Sequence, residues 1–179
     1  MHNKVVYHAM KVLNAPEWGF ELPVLRFNFR GTGRSEGTHD GLAEAADVAV
    51  ALDWLHAEYG VPVILTGFSF GASMAVRACC GVDSTAARAS VQAMAALGLP
   101  TQGFGQRFRY ADLADCRVPK LFLSGDGDGF APAEQLEAVV DDAADPKRLI
   151  FVSGSDHFFS GRLDAMQQEL ASWLKEQVQ

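Results

Sequence analysis

The sequence predicts an α/β fold, in which a mostly parallel sheet has helices on both of its faces. Helical and strand-like hydrophobic patterns alternate along the 179 residues. The strand-like segments are short apolar runs bounded by turn residues, which is typical of buried parallel strands. Because no linker, repeat or low-complexity tract interrupts the sequence, a single domain over residues 1–179 is expected.

The first elements follow from the spacing of apolar residues. Helical spacing over residues 5–13 predicts a helix, which Pro16 ends. Alternating apolar residues at 22–29 predict a strand, and the glycine-rich stretch at 30–37 breaks it.

A long helix comes next, with an apolar stripe over residues 42–55. Asp40 suits its N-cap and Gly60 its C-cap. Further strands are predicted at residues 63–66, 91–97, 120–124 and 149–153, and further helices after residue 71, at 133–143 and after Ser160.

Two loops are candidates for the rim of a ligand site. In the first, residues 30–37, Arg30 or Arg34 could meet an acidic substrate, but a structural turn with solvated arginines is favoured. The second, residues 101–117, is the least regular part of the chain and the candidate cap or substrate-facing loop, with Arg107, Arg109 and Tyr110.

Composition excludes several classes of function. Fifteen Lys and Arg residues against 22 Asp and Glu residues give a formal net charge of −7, the wrong sign for a surface that follows phosphates. We therefore expect no nucleic-acid partner. Membrane spans and signal-peptide patterns are absent, so we expect no membrane partner and predict a cytoplasmic protein.

The three cysteines, Cys79, Cys80 and Cys116, are predicted to be small buried thiols. Their odd number, and the adjacency of two of them in an Ala-rich helical stretch, fit neither a disulfide framework nor the spacing of metal ligands. A nucleophilic cysteine would need a nearby base and an electropositive setting, which the sequence does not display. No metal site is expected.

A Gly-x-Ser-x-Gly motif, residues 67–71, stands directly after the strand predicted at 63–66. In a strand-to-helix turn of this kind the serine hydroxyl projects beyond the sheet edge, and the flanking glycines avoid steric clashes. The motif also occurs as a purely structural turn, but its strand-turn-helix context favours Ser69 as a nucleophile. The N–H of Phe70 is then the candidate oxyanion donor.

A serine nucleophile needs a base, and His157 is the candidate. It lies in a loop directly after the last predicted strand, where a strand's carboxyl end delivers side chains to the active edge of the sheet. The other four histidines are expected to be ordinary solvated or hydrogen-bonded side chains: His2 and His8 in the first helix, His39 after the glycine-rich loop, and His56 near the end of the long helix.

The base needs an orienting carboxylate, for which Asp128 is the choice. Asp126 is the alternative, equally close in sequence, with a turn-forming role as its ordinary interpretation. Asp156 is less favoured, because neighbouring side chains point away from each other more often than not. Calcium binding by the loop is also disfavoured, since it lacks further oxygen ligands and a terminal Glu.

The order Ser69, Asp128, His157 is that of the α/β-hydrolases. The chain resembles the small bacterial α/β-hydrolases related to dienelactone hydrolases over essentially its whole length. The motifs that carry this resemblance are residues 3–6, 25–31, 33–37, 67–71, 125–132 and 156–159. The resemblance implies an α/β-hydrolase fold with a minimal cap, and it places the acid at Asp128 rather than Asp126.

The resemblance departs at the amino end. Relatives look as if they begin some tens of residues earlier, with further strands and a loop that supplies a second oxyanion N–H. By the same resemblance a central strand would lie between residues 22–29 and 63–66, and it is expected to be absent. We therefore expect Met1 to be an internal methionine of a longer frame, and the two flanking strands either to pair directly or to promote aggregation.

These residues predict a serine hydrolase of ester-like bonds in small molecules, which acts through an acyl-enzyme intermediate and needs no cofactor. The alternative is a non-catalytic or impaired protein of the same fold, because losing one oxyanion donor typically costs about 10² to 10³ in turnover. A dinucleotide site at Gly31 and Gly33 is disfavoured, since the next glycine, Gly37, does not keep the fingerprint spacing.

Overall fold

The structure, a computed structural model, describes residues 3–81, 90–103 and 105–178. Its strands are β1 (Val63–Phe68), β2 (Val91–Leu97), β3 (Gln102–Gly103), β4 (Gln106–Arg107), β5 (Lys120–Gly125) and β6 (Lys147–Val152). Strands β1, β2, β5 and β6 form a parallel sheet in that spatial order, and β3 and β4 pair as a short antiparallel hairpin.

Helices cover both faces of the parallel sheet, as predicted. Helices α1 (Lys4–Asn14) and α5 (Leu163–Gln177) pack on one face, and α2 (Glu44–Tyr59), α3 (Phe70–Cys80) and α4 (Ala133–Asp141) pack on the other. Short 3-10 turns occupy Pro16–Trp18 and Ala111–Asp115. None of the described helices is long and apolar enough to cross a membrane.

The burial of the central strands explains why their sequences are continuous apolar runs. Along β2, Ala93, Ala95 and Leu97 pack with α1 and α5, whereas Met94 and Ala96 pack with the helices of the other face. Successive side chains of a strand point to opposite faces, so a strand buried on both sides is apolar at nearly every position. These strands fix the carboxyl edge of the sheet, where ligands of such folds bind.

The prediction of a strand at residues 22–29 is wrong. This segment has no strand partner within the described residues, and β1 is the edge of the sheet and only partly buried. Direct pairing of the two segments, which the sequence allowed, is not observed either. A cavity of about 90 Å³ lies between them, lined by Leu25 and Ile64 among others. Alternating apolar residues supply the side chains of a strand but not its hydrogen-bonding neighbour.

The start of α2 also differs from the prediction. Asp40 is not its N-cap, because α2 begins at Glu44 and the Asp40 carboxylate accepts the N–H groups of Leu42 and Ala43, both at 2.8 Å, in the preceding turn. Leu42 is therefore exposed rather than part of the buried stripe. Gly60 ends the helix as predicted, in the left-handed conformation that glycine favours.

The cysteines are all buried, as predicted, but two of them are not thiols. Cys80 and Cys116 form a disulfide across a sequence separation of 36 residues, with their Cα atoms 5.1 Å apart. Cys79 keeps its thiol. The spacing could not reveal this pair, because only the packing of the end of α3 against the 3-10 turn Ala111–Asp115 brings the two sulfurs together.

Candidate active site

Ser69 lies in a strained turn between β1 and α3. Its φ of 54° and ψ of −120° place it in a conformation that non-glycine residues rarely adopt. A Cβ at Gly67 would collide with the backbone of Gly71, whereas one at Gly71 would meet nothing within 4 Å. The clash expected at both glycines therefore applies at Gly67, where the strand and the start of the helix approach closely.

His157 connects Ser69 with Asp128. The imidazole Nε2 lies 2.9 Å from Ser69 Oγ, and Nδ1 lies 2.8 Å from Asp128 Oδ2. The side chains come from three places along the carboxyl edge of the sheet: the turn after β1, the loop after β5 and the loop after β6. His157 is only 5% exposed and Asp128 only 3%, so water is largely excluded from their hydrogen bond.

The Asp128 carboxylate is fully hydrogen-bonded. Its Oδ1 accepts the N–H groups of Phe130 at 2.8 Å and Ala131 at 3.2 Å, and its Oδ2 also accepts the Ser124 hydroxyl at 3.1 Å. Burial raises the pKa of Asp128, but the hydrogen bond from His157 and those from the backbone outweigh burial, and the pKa lies below its ordinary value. The carboxylate is therefore an anion that holds His157 Nδ1 as a donor.

Aromatic rings fix the orientation of the imidazole. The ring centroids of Phe68, Phe130 and Phe158 lie 5.0, 4.7 and 5.1 Å from that of His157. The backbone of Gly98 also lies close to the imidazole, since a Cβ added at Gly98 would be 3.2 Å from its Cε1. This packing restricts rotation of the ring, so Nε2 stays directed at Ser69.

The site opens into a cavity of about 490 Å³. Its lining is mostly apolar and includes Phe27, Phe29, Phe68, Phe70, Phe130 and Phe158 beside Ser69 and His157. The N–H of Phe70, the first residue of α3, makes no backbone hydrogen bond within the described residues. A donor at a helix N-terminus favours negative charge, so this N–H can donate a hydrogen bond to a developing oxyanion.

Comparison with known proteins places this geometry in a family. A family model described as "Alpha/beta hydrolase domain" matches residues 8–178. The chain belongs to the α/β-hydrolase family. An uncharacterized protein of Rickettsia prowazekii is 31% identical to this α/β-hydrolase in an alignment of 182 positions, which covers 97% of this chain and 72% of the Rickettsia protein.

Solved structures agree with the family assignment. An alpha-beta serine hydrolase homologue from Coxiella burnetii is 32% identical to this α/β-hydrolase, with a TM-score of 0.82 over 97% of this chain and 77% of that one. A serine hydrolase without lid from Xanthomonas campestris is 26% identical, with a TM-score of 0.80 over 98% of this chain and 74% of that one. The predicted α/β-hydrolase fold is thereby confirmed.

The two alternative carboxylates of this α/β-hydrolase have other partners. Asp126 Oδ1 accepts the N–H of Ser155 at 3.2 Å, and backbone donors, foremost the N–H of Gly154, hold its pKa below the ordinary value. Asp156 Oδ1 accepts the N–H groups of Phe158 and Ser160, each at 2.9 Å. Both carboxylates shape the loops that position Asp128 and His157.

The remaining histidines lie away from Ser69 Oγ or serve other contacts. His8 Nδ1 lies 2.9 Å from Gln167 Oε1, and His56 is exposed near the end of α2. His39 Nδ1 lies 2.7 Å from the buried Glu44 carboxylate, and its ring packs on that of Phe70, with centroids 5.0 Å apart. His2 lies outside the described residues.

The candidate rim loops contribute little to the site. Arg30 is held by Asp47, through its backbone N–H and its guanidinium, and Arg34 is exposed. None of the described residues of 101–117 lines the cavity at Ser69, and the Tyr110 hydroxyl instead donates to the carbonyl oxygen of Pro100 at 2.6 Å. The glycine-rich loop also opens no helix, since α2 begins only at Glu44, which further disfavours a dinucleotide site.

Sequence patterns missed two residues that support the site. Ser124, at the end of β5, donates to Asp128, and Gly98, directly after β2, makes room for the imidazole. Their position at strand ends beside the candidate residues is the one signal that could have identified them.

Proposed function

We propose that this α/β-hydrolase is a serine hydrolase of carboxylic ester-like bonds in small molecules. The observation that carries the proposal is the continuous hydrogen-bonded row from Ser69 Oγ through His157 to Asp128, with distances of 2.9 and 2.8 Å. Nucleophile, base and orienting acid are the three groups that acyl transfer by serine requires.

The chemistry follows from this row. Ser69 Oγ attacks the substrate carbonyl while His157 Nε2 takes the hydroxyl proton, and the Phe70 N–H stabilises the negative oxygen of the tetrahedral intermediate. His157 then returns the proton to the leaving alcohol, and an acyl-serine remains. A water molecule, activated by the same imidazole, attacks the acyl-serine and releases the carboxylic acid. Asp128 stabilises the imidazolium in both halves.

The apolar lining of the cavity supports a substrate with an apolar portion next to the reacting carbonyl. Aromatic side chains surround Ser69 and His157, and desolvation there strengthens the hydrogen bonds that stabilise the oxyanion. The reaction needs no cofactor, because the nucleophile, base and oxyanion donor all belong to the chain.

The second candidate is a protein of the same fold that is impaired in catalysis. It is favoured by the edge position of β1, beside which residues 22–29 form no strand, and by the single oxyanion donor identified among the described residues. Loss of one donor costs about 10² to 10³ in turnover. The two candidates therefore predict different rates from the same serine.

Reaction of the purified chain with a fluorophosphonate probe tests the proposal. We expect wild type and Ser73→Ala, which removes a hydroxyl from the same helix outside the row, to be labelled. Ser69→Ala and His157→Ala should not be labelled, although circular dichroism should show them folded. Absence of labelling in folded wild type would favour the second candidate, and labelling of folded Ser69→Ala would refute the assignment of the nucleophile.

A further inference from the structure

Three cysteines meet at the end of α3 that lies away from Ser69. Cys79 and Cys80 are the last residues of α3, and Cys116 follows the 3-10 turn Ala111–Asp115. Their three sulfur atoms all lie within 4.8 Å of one another, and the residues are 0%, 5% and 0% exposed. Since α3 has 11 residues, it separates this cluster from the proposed nucleophile by on the order of 16 Å.

A buried lysine lies beside the cluster. Lys120 is 1% exposed, and its Nζ donates to the carbonyl oxygens of Cys116 at 2.7 Å, Ala144 at 2.8 Å and Pro146 at 3.4 Å. The three acceptors are neutral carbonyl oxygens, and they hold the amine against the backbone of Cys116, beside the sulfur cluster.

We propose that Cys79, Cys80 and Cys116 form a binding site for a soft d¹⁰ metal ion, Zn²⁺ foremost, when the Cys80–Cys116 bond is reduced. A dithiol reductant supplies two electrons and two protons, so the disulfide becomes two thiols and the reductant becomes a disulfide. The three thiols then release their protons as their sulfurs coordinate the ion.

Geometry and ligand type both favour this ion. A Zn–S bond of about 2.3 Å places two sulfurs of a tetrahedral site about 3.8 Å apart. The three sulfurs already lie within 4.8 Å of one another, and reduction frees those of Cys80 and Cys116 to separate from their bonded distance to this spacing. Thiolates select soft ions over Mg²⁺ or Ca²⁺, and the fourth tetrahedral position is left to a solvent molecule or small anion.

The test uses the whole chain reduced by a phosphine without air, and compares it with the air-oxidised chain. Cd²⁺ is the optical probe, because its thiolate complexes absorb in the ultraviolet, and bound Zn²⁺ is counted by elemental analysis. We expect one ion per reduced chain and none per oxidised chain. Alkylation followed by mass spectrometry reports the number of thiols in each sample.

Single variants then identify the ligands. Cys79→Ser, Cys80→Ser and Cys116→Ser should each weaken binding by at least about 100-fold, the upper end of what losing a supporting partner costs. Ser73→Ala, on the same helix, should bind as wild type does. Equal binding by Cys79→Ser would overturn the proposal, because two sulfurs would then suffice. Equal or absent binding by the two redox forms of wild type would overturn it even if every cysteine variant failed to fold. These outcomes do not depend on the proposed hydrolase activity.

Discussion

Replacing Asp128 with Asn tests how the row works, because the two side chains have the same shape. The amide oxygen can keep both backbone hydrogen bonds that Oδ1 now accepts, from Phe130 at 2.8 Å and Ala131 at 3.2 Å. The amide nitrogen then takes the place of Oδ2, where it donates instead of accepting. The loop should therefore stay folded while the polarity of the contact to His157 reverses.

The reversed contact determines how much activity Asp128→Asn should lose. With a donor at 2.8 Å from Nδ1, His157 must accept there and carry its proton on Nε2, so it cannot take the proton of Ser69. The same exchange in a serine-protease triad, which forces the wrong tautomer, lowers kcat by about 10⁴. We expect a similar loss here, equivalent to about 5.4 kcal/mol in the activation barrier.

Two rates and one control measure this effect. Hydrolysis of a p-nitrophenyl ester and the rate of fluorophosphonate labelling should both fall in Asp128→Asn, while urea unfolding confirms a folded chain. Asp126→Asn is the matched control, since Asp126 lies in the same loop as Asp128 and its carboxylate accepts backbone N–H groups of Gly154 and Ser155, but it does not contact His157. A loss below about tenfold in folded Asp128→Asn, or an equal loss in Asp126→Asn, would refute the reasoning.

Three further outcomes are expected. Gly98→Ala should unfold at lower denaturant concentration and hydrolyse esters more slowly than Gly41→Ala. Both glycines have positive φ, but only at Gly98 would a Cβ press on His157; equal effects would contradict this. Because the folded-state pKa of Asp128 is lowered, its contribution to stability is present above the unfolded pKa of about 3.9 and is lost as the pH falls through the folded value. The difference in unfolding free energy between wild type and Asp128→Asn should thus shrink from pH 7 to pH 3, and a growing difference would reverse the assigned sign. Ser124→Ala should remove one hydrogen bond to Asp128 and destabilise the chain by about 1 kcal/mol in urea unfolding, with activity largely kept; a loss as large as that of Asp128→Asn would give Ser124 a greater role.

Local patterns determined most of the architecture. Apolar runs at β2 and β5 predicted buried strands, and the spacing over residues 5–13 predicted the helix α1, because hydrophobic periodicity records which sides of an element are buried. The motif around Ser69 also predicted its own local structure, since a turn this tight restricts which residue can stand at position 67 to glycine. Such features depend on residues close in sequence.

Tertiary structure decided the features that need a distant partner. Residues 22–29 alternate like a strand but lack a hydrogen-bonded neighbour within the described chain, and Cys80 meets Cys116 only through packing of α3. Asp126 and Asp128 are equally close to β5 in sequence, and Asp128 was the choice, which the resemblance supported. The contact of Asp128 with His157 depends on the relative placement of the loops after β5 and β6. A hydrogen bond or disulfide between distant residues is specified by the positions of whole elements, which periodicity along the chain does not encode.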